Sequence, residues 1–190
     1  MNTKRKLIAL LAIATLISIV NASVFVYYPI NLTISPQNPP VVFLEGSNAG
    51  GNDLRGNTIT VITSNSGTSL TIKVHPTLQK NYYYDIAKIK NNDDPHTYYI
   101  KFRVTNPIPI TDGRVNEAYL IINGDYNNKI DLTSGEVQPN GWIILSSSSE
   151  FRVDLYIVLN SDGSGDITAG VDLIISTTEE SATPPTPPGE

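Results

Sequence analysis

Several residue types are absent or rare in this chain, and each absence narrows its chemistry. It has no cysteine, one methionine, one tryptophan and two histidines among 190 residues. Without cysteine there is no disulfide, so stability must come from the core, from strand pairing and from assembly. The single methionine is Met1, so removal of the leader described below leaves no easily oxidised sulfur.

Basic residues are also scarce. The chain has 13 Lys and Arg against 18 Asp and Glu, a net charge of −5 that becomes −8 once the three basic leader residues are removed. An acidic chain without a basic cluster argues against nucleic acid and against an anionic membrane surface as partners.

Residues that could carry catalysis or bind a metal are few and scattered. His75 and His96 lie far apart, and the HExxH and GxSxG motifs are absent, so no histidine-based site is predicted. Asp93-Asp94 and the loop from Asp162 to Asp166 could supply calcium ligands, but they have fewer carboxylates than a calcium loop. Such clusters are also what hairpin turns require. We therefore expect no metal and no cofactor.

Four further acidic residues could supply the carboxylate pair of a glycosidase: Glu136, Glu150, Asp154 and Asp172. Asp154 and Asp172 alternate with apolar neighbours predicted to be buried, so both are expected to point to solvent. Nothing in the sequence positively supports catalysis, and we expect a protein that is not an enzyme.

An apolar segment opens the sequence. Lys4, Arg5 and Lys6 precede an uncharged apolar run of 14 residues, Leu7 to Val20, and small residues follow up to Ala22. This is the pattern of a signal peptide, residues 1–22, cleaved after Ala22. The run is shorter than the roughly 20 residues of a membrane-spanning helix, although a retained anchor is the alternative. We expect export and an extracellular location, with no membrane contact after cleavage.

The stretch that follows, residues 23–35, reads SVFVYYPINLTIS and predicts one long strand. Successive side chains of a strand point to opposite faces, so one face is wholly apolar. That face consists of Val24, Val26, Tyr28, Ile30, Leu32 and Ile34. The next five residues, PQNPP, favour an extended linker. A long apolar strand on a stiff stalk suggests a strand donated to a neighbouring subunit; a strand lying on its own domain is the alternative.

Two residues of this stretch refine the prediction. Pro29 has no N–H and is disfavoured in a central strand, so a bulge or break is expected there. Asn31 begins the N-glycosylation sequon Asn-Leu-Thr. It falls on the polar face, where a glycan would point away from the surface that receives the strand.

An energy estimate favours a preformed acceptor. Burying the six apolar side chains contributes about 9–18 kcal/mol. Ordering about a dozen residues costs about 12–24 kcal/mol. Hydrogen bonds to adjacent strands, about 0.5–1.5 kcal/mol each, must therefore decide whether the strand becomes ordered. The strand forms the largest number of them in a preformed groove that lacks a strand. Such a contact between copies is head-to-tail and propagates into a filament.

Beyond this stretch the apolar pattern has period two almost throughout, which predicts nine or ten strands. In the segment from Tyr82, Tyr84 and Ile86 are expected on one face and Asp85 on the other. The predicted strands are Val41–Leu44, Thr58–Thr63, Ser69–His75, Tyr82–Lys90, Tyr98–Thr105, Ala118–Ile122, Lys129–Leu132, Trp142–Leu145, Glu150–Leu159 and Ile167–Ile175. Together they predict an all-β fold, a single jelly-roll-like two-sheet sandwich over residues 36–176. Residues 177–190, rich in Pro and Thr, are expected to be a flexible tail.

Ten tyrosines stand out from this composition. Four of them are candidate surface aromatics for lateral contacts: Tyr82, Tyr83, Tyr99 and Tyr126. Exposed tyrosines can also bind sugars, and alternation alone directs about half of them outward, so plain sheet packing stays open.

The whole pattern resembles the TasA/camelysin-like secreted filament proteins, and among them archaeal bundling pilins. The resemblance covers about residues 1–176 and includes the leader, the alternating N-terminal strand, the absence of cysteine, and the segments DPHTYYIKFRVTN and EFRVDLYIVLNSDGSGDITAGVDLIIS. It implies an exported jelly-roll that polymerises with copies of itself by donor-strand complementation, with the six apolar residues above as donors. It also implies lateral bundling that supports biofilm or cell–cell cohesion.

The camelysin name also implies protease activity, which we do not transfer because the sequence has no protease motif. The sequence therefore predicts a structural subunit of an extracellular filament. The alternative is a monomeric secreted carbohydrate-binding or adhesin sandwich.

Overall fold

The computed structural model describes residues 2–20, 28–109, 111, 113–161 and 165–179, with only the backbone described for residues 15–20. The chain divides into two compact units, Met1–Pro36 and Gln37–Glu190. In the first unit, helix α1 spans Thr3–Val20. Among the described residues, no helix is both long and apolar enough to cross a membrane.

The predicted N-terminal strand is described only in part. Residues 28–35 carry neither helix nor strand. Val24, Val26 and the cleavage site after Ala22 lie outside the described residues, as do Asp162 and residues 180–190 of the tail. The donor strand, the signal peptide and the flexible tail stay predictions.

The second unit is all-β, which confirms the predicted fold class. Its described residues form strands β1 (Val41–Glu45), β2 (Thr60–Ser64), β3 (Ser69–Lys73), β4 (Lys80–Asn91), β5 (Tyr98–Asn106), β6 (Val115–Ile122), β7 (Asp125–Asp131), β8 (Ile143–Leu145), β9 (Glu150–Leu159) and β10 (Gly170–Ser176). All their pairings are antiparallel.

The strands form three sheets. A five-stranded sheet has the order β1-β4-β9-β6-β7, a three-stranded sheet has the order β10-β5-β8, and β2 and β3 form a hairpin. The hairpin closes through Asn65, Ser66 and Gly67, all with positive φ, a conformation that asparagine and glycine adopt readily. The core lies between the sheets, where alternating apolar side chains of opposite sheets meet. Its fully buried members include Ile86, Ile89, Ile100, Ile130 and Leu145.

A bulge in β4 reverses one predicted orientation. Tyr84 is exposed and Asp85 is buried, so the expectation that Tyr84 and Ile86 share an inner face opposite Asp85 is wrong. The register with β9 shifts between Tyr83 and Ala87, and Asp85 has a φ of 43°. Between these matched positions β4 has three residues and β9 has one, so the bulge interrupts the alternation, brings Ile86 into the core, and leaves the phase unchanged from Ala87 onward.

Candidate functional site

An apolar groove of about 1320 Å³ opens between the sheets of the second unit. One wall is formed by β3 and the residues that follow it, to Leu78. The other is formed by β10 and the segment from Gly165 that leads into it. The floor belongs to the five-stranded sheet and includes Ile89, Leu120, Ile122, Val153, Leu155 and Ile157. Pockets for small molecules usually measure about 300–1,000 Å³, so this groove has room for a longer chain segment.

Both walls of the groove are sheet edges. Within the described residues, β3 pairs with β2 alone and β10 pairs with β5 alone. Each strand therefore directs the N–H and C=O groups of its second edge into the groove. An edge of this kind is a ready template for another strand.

Apolar side chains on the walls of the groove are less covered than those of the core, whereas the floor residues Ile89, Ile122 and Val153 are themselves buried. Ile100 and Leu145 are fully buried, whereas Leu70 and Leu173 pack against the core but are only partly buried. Ile175, also on the groove wall, is 40% exposed. The apolar surface that lacks cover therefore lies on the two walls of the groove and not on its floor.

An ion pair links the two walls at one end of the groove. The Nζ of Lys73, the last residue of β3, lies 3.9 Å from Oδ2 of Asp166, four residues before the start of β10. Both side chains are exposed, so the pair contributes little to stability. It does show that the end of β3 lies beside the segment that enters β10.

Four of the six predicted donor residues are described, and all are exposed. The exposed fractions of Tyr28, Ile30, Leu32 and Ile34 lie between 76% and 91%. Asn31, the predicted glycosylation site, is also exposed. Single exposed apolar residues are ordinary, but four at alternate positions of one segment form an apolar face without cover.

The four predicted surface tyrosines do not form one patch. Tyr82 and Tyr126 are exposed, and both belong to strands of the five-stranded sheet. Tyr99 is half-buried on β5, in the three-stranded sheet. Tyr83 is buried in the core, so its prediction as a surface residue is wrong. It alternates with Tyr82 and Tyr84 along β4, and burial raises its pKa to about 12.

A tyrosine row that the sequence did not predict crosses the five-stranded sheet. Tyr82, Tyr156 and Tyr119 lie opposite one another on β4, β9 and β6. The rings of Tyr119 and Tyr156 stack with centroids 5.9 Å apart, and Tyr126 meets Tyr156 edge-on at 6.3 Å. The Nζ of Lys129 lies 4.7 Å from the centre of the Tyr119 ring. Only the strand register, which alternation does not give, brings them together.

Asp154 lies in a buried polar cluster and does not point to solvent, so that prediction is wrong. Its carboxylate accepts hydrogen bonds from Tyr82 Oη at 2.7 Å, the Asp85 N–H at 2.7 Å and Arg152 Nε at 2.9 Å. Its side chain leaves the outer face of β9 as alternation requires, but these neighbours cover it completely. Burial, and then the hydrogen bond to Asp154, raises the pKa of Tyr82 to about 12.

The remaining acidic and histidine candidates make separate local contacts. Of the four glycosidase candidates, Glu136 is exposed, Glu150 pairs with Lys88 and Asp172 pairs with Arg103. Of the calcium candidates, Asp94 accepts a hydrogen bond from Ser147, and Asp93 lies beside His96 and Tyr98. The Nδ1 atom of His75 lies 3.6 Å from Asp53. Within the described ranges, no three His, Asp or Glu side chains gather as ligands of a metal ion would.

No protein-family model matches the sequence, and no curated protein matches it. The resemblance to secreted filament proteins therefore stays an expectation from the sequence. The features left to carry a function are the apolar groove and the exposed apolar face of residues 28–34.

Proposed function

We propose that the protein is the structural subunit of an extracellular filament, in which residues 23–35 of one copy fill the groove of the next. The groove itself is the observation that carries the proposal. It is apolar, measures about 1320 Å³, and is bordered by β3 and β10, each of which pairs on one side only within the part of the chain that the structure describes. Its best occupant has one apolar face and offers backbone N–H and C=O groups on both sides, which describes a β-strand.

Residues 23–35 have this chemistry. The stretch contains no charged residue, and its even positions from Val24 to Ile34 are all apolar. An uncharged strand enters a desolvated groove without burying an ion, which would cost several kcal/mol. The four described even positions are exposed in the isolated chain, so burying them in another copy gains their full transfer energy.

A strand given to one neighbour and a groove filled by another make a head-to-tail contact. Such a contact does not close on itself and generates a filament of identical copies. The inserted strand would also join β10 and β3 into one sheet and complete a jelly-roll-like sandwich. Lateral bundling and a role in cell–cell cohesion follow from the resemblance to bundling pilins. The alternative is a monomeric carbohydrate-binding or adhesin domain.

The alternating pattern provides its own matched controls. In unglycosylated protein, Leu32→Asp and Ile34→Asp place a carboxylate on the face that enters the groove, whereas Thr33→Asp and Ser35→Asp place it on the opposite face. We expect negative-stain electron microscopy to show filaments from the native chain and from both control variants, and none from the first pair. A native chain that stays a well-behaved monomer contradicts the proposal and makes a glycan array the next experiment.

Mixing two defective variants separates a lost contact from a lost fold. Leu32→Asp has a blocked donor and an intact groove, and Ile72→Asp has an intact donor and a blocked groove. Each alone should remain monomeric with a native circular dichroism spectrum. Mixed in equal amounts, they should form a one-to-one dimer by sedimentation, and nothing larger. If no dimer forms between two folded variants, the two sites do not bind each other.

A further inference from the structure

We infer that the donor strand enters between β3 and β10, antiparallel to one of them and parallel to the other. This inference rests on the proposed function and specifies its acceptor. The three-stranded sheet ends at β10, the hairpin ends at β3, and both free edges line the same groove. One added strand turns them into a single sheet of order β8-β5-β10-donor-β3-β2.

A gap that one strand fills has a definite width. Neighbouring strands lie about 4.8 Å apart, so edges on either side of a missing strand lie about 9.6 Å apart. The Nζ of Lys73, at the end of one wall, lies 3.9 Å from Oδ2 of Asp166, in the segment that leads into the other wall. A long side chain opposite a short one can bridge that distance, whereas directly paired edges would leave no groove. Residues of both walls, such as Ile72 and Leu173, line the gap above a continuous floor.

The direction follows from the same ion pair. Lys73 is the last residue of β3, and Asp166 precedes the first residue of β10. The end of one wall therefore lies beside the beginning of the other, so β3 and β10 run in opposite directions. A strand placed between two oppositely directed edges pairs antiparallel with one and parallel with the other, whichever way it points.

This arrangement also accommodates Pro29. Successive residues of a strand direct their N–H groups to alternate neighbours, so the even positions from Val24 to Ile34 all face one edge. Every even position has an N–H, and that edge receives a complete set of donors. The missing N–H of Pro29 falls on the other edge alone, where it removes one hydrogen bond.

Disulfides between introduced cysteines can identify which residues of β3 and β10 lie beside the donor strand, because the native chain has no cysteine. One copy carries a single cysteine at an odd donor position between 25 and 35. The other carries one at Ser69 or Thr71 on β3, or at Ile174 or Ser176 on β10. Directly opposed side chains are within disulfide range and diagonal ones are not, so each edge cysteine should select one donor position. A cysteine at Asn127, an exposed residue of β7 away from the groove, is the control and should form no disulfide.

The expected result is a disulfide to both edges with opposite shifts. Moving the cysteine from Ser69 to Thr71 should move its donor partner one way along the strand. Moving it from Ile174 to Ser176 should move the partner the opposite way. Shifts in the same direction, or disulfides to one edge alone, would overturn this acceptor geometry. Filaments without any of these disulfides would also overturn it while leaving donor-strand assembly intact, whereas a native chain that forms no filament would overturn the proposed function itself.

Discussion

Two Arg–Asp pairs in this domain should differ sharply in their contribution to stability. Asp154 is fully buried and pairs with Arg152, whereas Asp172 is about one-third exposed and pairs with Arg103. Replacing Asp154 by alanine leaves the buried Asp85 N–H and the hydroxyl of Tyr82 without their acceptor.

The size of each effect follows from burial. Removing one partner of a buried ion pair costs about 3–5 kcal/mol, because the remaining polar groups lose both their partner and access to water. Removing one partner of a solvent-exposed pair costs about 1 kcal/mol or less, because water screens it. Asp154→Ala should therefore lower the free energy of unfolding by about 3–5 kcal/mol, and Asp172→Ala by at most about 1 kcal/mol.

Urea unfolding followed by the fluorescence of Trp142, the single tryptophan, measures both variants. The protein is kept at a concentration at which sedimentation shows a monomer, since assembly would add its own stability. Equal losses in the two variants would refute the reasoning, because they would mean that burial of Asp154 has no energetic consequence.

Three further predictions concern other features of the domain. Gly124 has a φ of 73°, and an added Cβ would lie 2.4 Å from Nη2 of Arg152, so Gly124→Ala should cost about 1–3 kcal/mol in urea unfolding. The pKa of Tyr82 is raised to about 12. The stability that its neutral hydroxyl contributes is therefore present below the ordinary tyrosine pKa of about 10 and is lost between about pH 10 and 12. Tyr82→Phe should make the free energy of unfolding less dependent on pH in this range. The hydrogen bond from Tyr98, followed by the neighbouring imidazole, lowers the pKa of Asp93, so its contribution is lost as the pH falls below the ordinary value of about 3.9, and Asp93→Asn should make the urea midpoint less sensitive to acid.

Much of the domain follows from period-two alternation, since the apolar runs from Val41 onward become strands of an all-β fold. Alternation describes one strand at a time and contains no register, so it does not predict the tyrosine row. It also fails at a bulge, where Asp85 has a positive φ and Ile86 is buried although Tyr84, two residues earlier, is exposed. Asp154 shows a third limit, because a side chain that leaves the outer face of a sheet is buried when its neighbours cover it.

The groove itself could not be predicted from composition. The sequence of β3 or β10 does not show that each pairs on one side only among the residues that the structure describes; that depends on how the whole chain folds. The donor stretch, in contrast, was visible as an alternating segment without charge. A gap between two sheets depends on how the strands pair, whereas an alternating apolar segment is visible in the sequence itself.

The split between β3 and β10 has a consequence for growth. In a filament built through this gap, one terminus carries an empty groove and the other carries an unpaired strand, so the two termini are chemically distinct. A short peptide with the donor sequence would stop elongation at the first terminus and leave the second untouched. If another molecule supplies the last strand of the sheet, as we propose, polarity of this kind requires no further component.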